Sequence, residues 1–280
     1  MRFSQIVMSS YQDLEIKARE IRKLVIKSIY EAGSGHPAGS LGASDLIAAF
    51  YFKILNHKPT EPNWPERDRF ILSNGHICPA LYAALSLSGY FPVSEMNNLR
   101  KFGSGLQGHP HRGKLPGVET TSGPLGSGLA QAIGIALAAR IDKKDFRVYC
   151  LTSDGEHDSG NHWEAVMVAA KYKLNNLTLL VDRNKIQLSG NTEEIMPLEP
   201  LSLKYKSFNF NVLEIDGHNF NEIIDSVYKA KNYKDGPTVI IASTIPGKGV
   251  SFMEGKWEWH GKAPSKDEFE AAMAELEGGN

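Results

Sequence analysis

Two oxygen-bearing side chains stand thirty residues apart, each just past an apolar run. In CLTSDGEHDSGNHWEAVMVAAKYKLNNLTLLVDRNKIQLSG (150–190), the first run ends at Asp154-Gly155 and the second at Asp182-Arg183-Asn184. A carboxylate and an amide oxygen, with a backbone carbonyl nearby, make a hard and incomplete ligand set. Such a set suits Mg²⁺ or Ca²⁺, and Mg²⁺ commonly takes its remaining ligands from phosphate and water. Gly155 would let the backbone approach a phosphate, and the start of the following helix would favour negative charge. The chemistry implied is the anchoring of a metal-bridged pyrophosphate. Either piece alone reads as well as a turn or as loop polarity. The pairing is more specific, because the pieces end successive strands.

Nine histidines are present, and four sit in Gly- or Pro-rich settings: His36 in GSGHP, His76 in SNGHI, His109 in QGHP and His260 in EWHGK. Loops of that kind bring backbone close to ligands. A neutral imidazole near pH 7 can accept or donate a proton during carbonyl chemistry. The other five, His57, His111, His157, His162 and His218, fit surface or structural roles better. His157 and His162 are five apart and do not share a helix face well. No third ligand at suitable spacing supports zinc.

The elements that must position these residues alternate. Helical periodicity covers residues 11–32, 43–55, 79–89, 125–141, 162–173 and about 219–232. Apolar strand-like runs cover 69–73, 146–152, 177–182, 211–215 and 238–243. Apolar strands separated by helices predict an α/β fold with a mostly parallel sheet and helices on both faces. Ligands of such sheets bind beyond the carboxyl ends of the strands. The unit 146–182 therefore predicts Asp154 and Asn184 at that edge, close enough to converge on one ion. No internal repeat or linker divides the chain. It reads as a single domain over 1–280, with a helical tail from about residue 266.

The whole-chain numbers exclude several classes. A formal net charge of -1 over 280 residues gives no footing for nucleic acid or an anionic membrane. No apolar run approaches the roughly eighteen residues of a membrane span, and the N-terminus turns charged too early for a secretory signal. The two cysteines, Cys78 and Cys150, fit a reducing compartment. The expectation is a cytoplasmic protein with neither nucleic acid nor membrane as partner.

Six blocks carry a family resemblance. They are SGHPAGSLGASDL (34–46), RFILSNGH (69–76), LQGHPHR (106–112), TSGPLGSGLAQAIGIALA (121–138), the 150–190 stretch and IPGKGVSFMEGKWEWHGKAP (245–264). In this order they resemble the N-terminal half of transketolase, and the 150–190 stretch resembles the thiamine diphosphate fingerprint. The resemblance implies the thiamine-diphosphate-binding fold and transfer of a two-carbon ketol unit from a ketose phosphate to an aldose phosphate. It implies thiamine diphosphate and a divalent metal as cofactors. Asp154, Asn184 and the backbone oxygen of Ile186 would be metal ligands, and Gly155 would lie against the diphosphate. His76 and His260 would reach the diphosphate and the reacting region. His36 and His109 would line the substrate channel and handle protons or hydroxyls of the sugar. Gly123 and Leu125 would line the aminopyrimidine, and Glu164 would belong to an acidic network between the two sites of a dimer.

The chain departs from the family pattern at Ser153, where the fingerprint has glycine, at Ser159, where a glutamate is usual, and at His111, where an acid is frequent. It also stops after WHGKAP and one helix. The resemblance therefore implies a split enzyme, whose separate C-terminal subunit brings the pyrimidine-binding domain, with self-association of this chain as well. Two alternatives stay open. One is another thiamine diphosphate enzyme, such as deoxyxylulose-phosphate synthase. The other is a non-catalytic nucleotide-binding module built on GPLGSGLAQAIG, which lacks a clear preceding strand.

Overall fold

The computed structural model describes residues 2–278, with side chains from Tyr11 onward. The chain opens with α1 (Arg2–Ala32), which begins earlier than the expected 11–32 helix. Then come α2 (Pro37–Gly42), α3 (Ser44–Ala49), β1 (Arg69–Leu72), α4 (Cys78–Leu87) and α5 (Ser127–Ile141). The site-bearing middle holds β2 (Val148–Ser153), α6 (Gly160–Lys171), β3 (Leu177–Arg183), the small strands β4 (Ile186–Gln187) and β5 (Gly190–Asn191), α7 (Thr192–Ile195) and α8 (Leu201–Ser207). The last part is β6 (Asn211–Asp216), α9 (Phe220–Asn232), β7 (Thr238–Ser243) and α10 (Lys266–Gly278).

The main sheet has the order β1-β2-β3-β7-β6, and every pairing in it is parallel. Alternation along the strands feeds two apolar layers. Tyr149, Leu151 and Leu180 face a layer built with α1, α3, α4 and α9, while Val148, Cys150, Leu179 and Val181 face one built with α5, α6 and α8. Burial on both faces explains why β2 and β3 read as continuous apolar runs.

The expected helix over 43–55 is present as α3, continued directly by a wider π-helical turn. α2 and α3 meet at Ala43, and the last turn widens over Phe50–Ile54. Packing is close where α2 meets α3: a side chain on Gly42 would come within 2.9 Å of the Ile245 carbonyl. The pieces between β3 and β6 were not anticipated, because strands of two residues and helices of four to seven carry too few positions to show a period.

Candidate functional site

β2 and β3 lie side by side, with Ser153 opposite Asp182. Their carboxyl ends therefore bring Asp154 and Asn184 to one edge of the sheet. Both line a cavity of about 300 Å³, together with Gly155 and Ile186. The four histidines from Gly- and Pro-rich loops, His36, His76, His109 and His260, line the same cavity, as do Gly123 and Leu125. Segments from residue 36 to residue 260 thus converge on one pocket.

Asp154 is 1% exposed. Its Oδ1 accepts from the Gly155 amide (2.9 Å), and its Oδ2 accepts from the Lys185 amide (2.7 Å) and Arg183 Nη1 (2.9 Å). Asn184 donates through Nδ2 to Asp182 Oδ2 at 3.1 Å, and its Oδ1 accepts from the Ile186 amide at 3.1 Å. Asp182 is also held by the Thr244 hydroxyl. Burial pushes the Asp154 carboxyl up to about 7, with Asp182 adding to the rise and Arg183 opposing it. Burial likewise lifts Asp182 to about 6.

Of these two buried carboxylates only Asp154 meets a guanidinium, that of Arg183, while Asp182 is held by Asn184 and Thr244. Arg183 is in turn divided among Asp154, Glu193 (2.7 Å) and Glu199 (3.0 Å). This excess of negative charge fits a divalent cation. Among the described residues, no group of three or more His, Cys, Asp or Glu side chains gathers to hold a metal. The donors present are one carboxylate, one amide oxygen and a backbone carbonyl, a set that suits a hard cation finished by phosphate or water.

The histidines form a cluster opposite. His36 has its ring centroid 5.2 Å from His76, 5.5 Å from His260 and 6.5 Å from His109, and His76 lies 5.1 Å from His260. Burial, with His260, Arg100 and His109 adding to it, lowers His36 to about 4. Burial holds His76 well below the usual histidine range and also lowers His260 and His109. Lowered in this way, the rings are uncharged at neutral pH and can each donate one hydrogen bond and accept another. His36 Nδ1, both ends of the Asn74 amide and the Ser122 hydroxyl are buried without a protein partner. Buried polar groups are nearly always satisfied, and His36, the one of these that lines the cavity, fits a polar ligand or water there.

Ser153 causes no strain in place of glycine. Its φ of -101° and ψ of 166° are ordinary extended values, and its side chain caps the turn at Asp154–Asp158. The partner in that capping box is Glu156, which the sequence reading missed. Its Oε1 accepts from Ser73 Oγ (2.6 Å) and the Gly126 amide (2.8 Å), and its Oε2 accepts from the Ser153 amide (3.0 Å). The signal was readable, since Ser-x-x-Glu spacing is itself a helix-start signature. Gln187 and Leu188 also line the cavity, and Leu188 is exposed beside it.

His157 and His162 do come together, despite their spacing. A tight turn at Asp154–Asp158 precedes α6, so the two rings do not lie on one helix, and their centroids are 4.2 Å apart. His157 donates from Nδ1 to the Ser153 and Asp154 carbonyls and accepts the Tyr205 hydroxyl proton at Nε2 (2.7 Å). His162 Nε2 then donates to the Tyr205 oxygen at 2.8 Å. Both nitrogens facing Tyr205 are committed to it, which makes the pair structural.

With this geometry in view, the comparisons are specific. Residues 14–278 match the family described as transketolase, thiamine diphosphate binding domain. The chain belongs to that family. It is 44% identical over 271 residues to the 6-deoxy-6-sulfo-D-fructose transketolase subunit SqwG of Clostridium sp. (strain MSTE9), covering 96% of this chain and 98% of that one. It is 38% identical to an apulose-4-phosphate transketolase subunit of Phocaeicola vulgatus, covering 95% and 94%. Among solved structures, transketolase from Campylobacter jejuni superposes with a TM-score of 0.89 at 33% identity, covering 95% of this chain and 43% of that one. The chain thus matches short transketolase subunits along nearly their whole length and spans under half of the single-chain enzyme. It is a transketolase-type transferase subunit with the α/β fold of that family. The nucleotide-module alternative is not favoured. Among the described residues, no helix is long and apolar enough to cross a membrane.

Proposed function

We propose that this chain is a single diphosphate-binding domain, the N-terminal subunit of a split transketolase. With a separate C-terminal subunit it would move a two-carbon ketol unit from a ketose phosphate to an aldose phosphate. The observation that carries this reading is the single cavity shared by Asp154, Asn184 and four uncharged histidines. Bound thiamine diphosphate would supply the carbon–carbon bond chemistry, as the protein itself carries no comparable group. Asp154, Asn184 and the Ile186 carbonyl would hold Mg²⁺, or Ca²⁺, and through it the diphosphate. Gly155, with no side chain of its own, would leave the backbone accessible to a phosphate oxygen.

His76 and His260 would donate to phosphate oxygens and to the reacting region. His36 and His109 would line the substrate channel, where as neutral rings they could donate to one sugar hydroxyl and accept from another. Gly123 and Leu125 would border the cofactor's ring. The partner chain would cover Leu125 and Leu188, which are exposed beside the cavity, and so exclude water. Self-association through α6 is part of the reading. Glu164 is exposed there next to Met167 (50%) and Val168 (38%), an apolar face that a second copy would bury.

Titration with thiamine diphosphate and Mg²⁺ against NAD, followed by a ketol-transfer assay with and without the partner chain, tests the proposal. Binding of the thiamine cofactor and activity only in the two-chain mixture are expected. Binding of NAD alone would overturn it.

A further inference from the structure

Behind the turn that carries Asp154, three buried side chains pass hydrogen bonds in one direction. His157 lies in the turn itself, Tyr205 on α8 and His162 in the first turn of α6. Tyr205 and His162 are 0% exposed and His157 is 4% exposed. A carbonyl only accepts, so His157 Nδ1 must carry the proton that it shares between the Ser153 and Asp154 carbonyls, each at 3.0 Å. At the far end, His162 Nδ1 is buried and has no partner. A proton there would be a buried donor without an acceptor, so it sits on Nε2, 2.8 Å from the Tyr205 oxygen. Tyr205 then gives its own proton to His157 Nε2 at 2.7 Å. The chain of donors runs from α6 through α8 to the main-chain carbonyl of Asp154.

The same helix reaches Asp154 by a second route. Glu199 Oε2 accepts from the Leu201 amide at the start of α8 (2.8 Å), and its Oε1 accepts from Arg183 Nη2 (3.0 Å). Arg183 Nη1 donates to Asp154 Oδ2 at 2.9 Å. Asp154 is thus held at its carbonyl through Tyr205 and at its carboxylate through Glu199. Trp163 adds a further tie, donating from Nε1 to the His157 carbonyl at 2.8 Å. His157, His162 and Tyr205 do not line the cavity, so they reach it only through the turn. Apolar packing alone would press α6 and α8 against the sheet without fixing the direction of a carbonyl. Hydrogen bonds are directional and do fix it.

Resting on the reading of Asp154 as a metal ligand, we propose that Tyr205, acting through His157, is a positioning residue for the cofactor site. By holding the Asp154 carbonyl from behind, it keeps the carboxylate at the cavity edge before any cation arrives. The segment from Glu193 to Tyr205 then tunes how tightly this subunit holds the metal diphosphate without touching either. Preorganisation of this kind shows as affinity, since a group already in place need not be ordered on binding.

The test compares two variants in the enzyme assembled from both chains. Tyr205→Phe keeps the ring and removes the hydroxyl. Phe210→Leu trims the ring packed against Tyr205, with centroids 5.5 Å apart, and leaves the hydroxyl. By calorimetry, Tyr205→Phe should raise the Kd for thiamine diphosphate with Mg²⁺ about tenfold, the scale for a lost partner of a metal ligand. The cofactor concentration for half-maximal transfer should rise with it, while kcat at saturating cofactor stays nearly unchanged. Phe210→Leu should lower Tm at least as much and leave Kd nearly unchanged. Equal losses of affinity in the two variants make Tyr205 a packing residue only and overturn the proposal, as does an unchanged Kd in Tyr205→Phe. Two readouts need no cofactor. In this chain alone, the Lys185 amide, which donates to Asp154 Oδ2, should exchange with deuterium faster in Tyr205→Phe and not in Phe210→Leu. NMR of the ring nitrogens in the unmodified chain should show opposite tautomers, with the proton on Nδ1 of His157 and on Nε2 of His162. That measurement covers the case of a poorly folded Tyr205 variant, and the same tautomer in both rings overturns the proposal. Failure of the metal-ligand reading looks different, as unchanged Mg²⁺-dependent affinity in Asp154→Ala.

Discussion

Asp154 carries the heaviest demand of any single residue. Its carboxylate meets three donors and lies at the edge where the cation would sit. Asp154→Ala should weaken Mg²⁺-dependent thiamine diphosphate binding a hundredfold or more in calorimetry, while circular dichroism shows an intact fold. Arg183 would keep Glu193 and Glu199 as partners in that variant. Unchanged affinity would remove Asp154 from the metal site. His76→Ala and His260→Ala should each cost turnover about a hundredfold, the scale of a lost acid–base group, with little change in unfolding temperature. His218→Ala is the control. Its ring bridges Asp45 (2.6 Å) and the Ile245 amide (2.8 Å) outside the cavity, so stability should fall more than turnover.

Acidity gives another test at this scale. Burial, with His157 adding to it, holds His162 well below the usual range. The unfolded chain gains a proton there near pH 6.5 and the folded chain does not. His162 therefore contributes a stability penalty that is absent at pH 7 and grows as pH falls below about 6.5. His162→Gln should cost stability at pH 7, by loss of the ring and its bond to Tyr205, and that cost should shrink by pH 5 in urea titrations. An equal cost at both pH values would refute the depressed ring basicity. These single residues differed in how readable they were. Asp154 and Asn184 sit in a local fingerprint, and the four histidines in local Gly/Pro settings. The contact of His157 with His162 depends on the tight turn before α6 and on Tyr205, which spacing within one helix does not encode.

At the scale of elements, one knot ties β1, β2 and α5 together. The Gly128 amide donates to Ser73 Oγ (3.1 Å), Ser73 donates to Glu156, and Glu156 takes the Gly126 and Ser153 amides. A methyl group on Gly128 would come 2.4 Å from Ser73 Cβ. Gly128→Ala should therefore lift the start of α5 off β1 and cost about 1–3 kcal/mol, measured by chemical denaturation. Glu156→Gln should cost a similar amount, since an amide oxygen cannot replace both carboxylate oxygens. The long elements were legible because buried parallel strands are plain apolar runs and amphipathic helices repeat. Their ends shifted by a few residues, since caps and not periodicity fix them. The segment from β4 through α8 was not legible. Its conformation follows Arg183 and its carboxylate partners, which are contacts and not pattern.

For the whole molecule, the exposed apolar side chains on α6 and beside the cavity predict assembly. Light scattering should show copies of this chain pairing on their own, and two of each chain in the active mixture. A monomer with full ketol-transfer activity would contradict both the split enzyme and the shared site. The parallel sheet was foreseeable from the alternation of elements, whereas the strand order was not. β6 is made before β7 yet lies outside it, and only packing decides that inversion.

The cavity also has a history along the chain. Its wall begins at His36 and is complete only at His260, and β1 must wait for β2, which pairs Arg69 with Val148. Because long-range pairing is slow and nascent chains grow in one direction, a ribosome-bound fragment ending before β7 would display Asp154 and Asn184 but no closed pocket. The ligand therefore inspects the finished product. On the proposed reading, only a chain translated almost to its end could offer its partner a finished wall for the cofactor, and a prematurely stopped copy would go without that stabilisation.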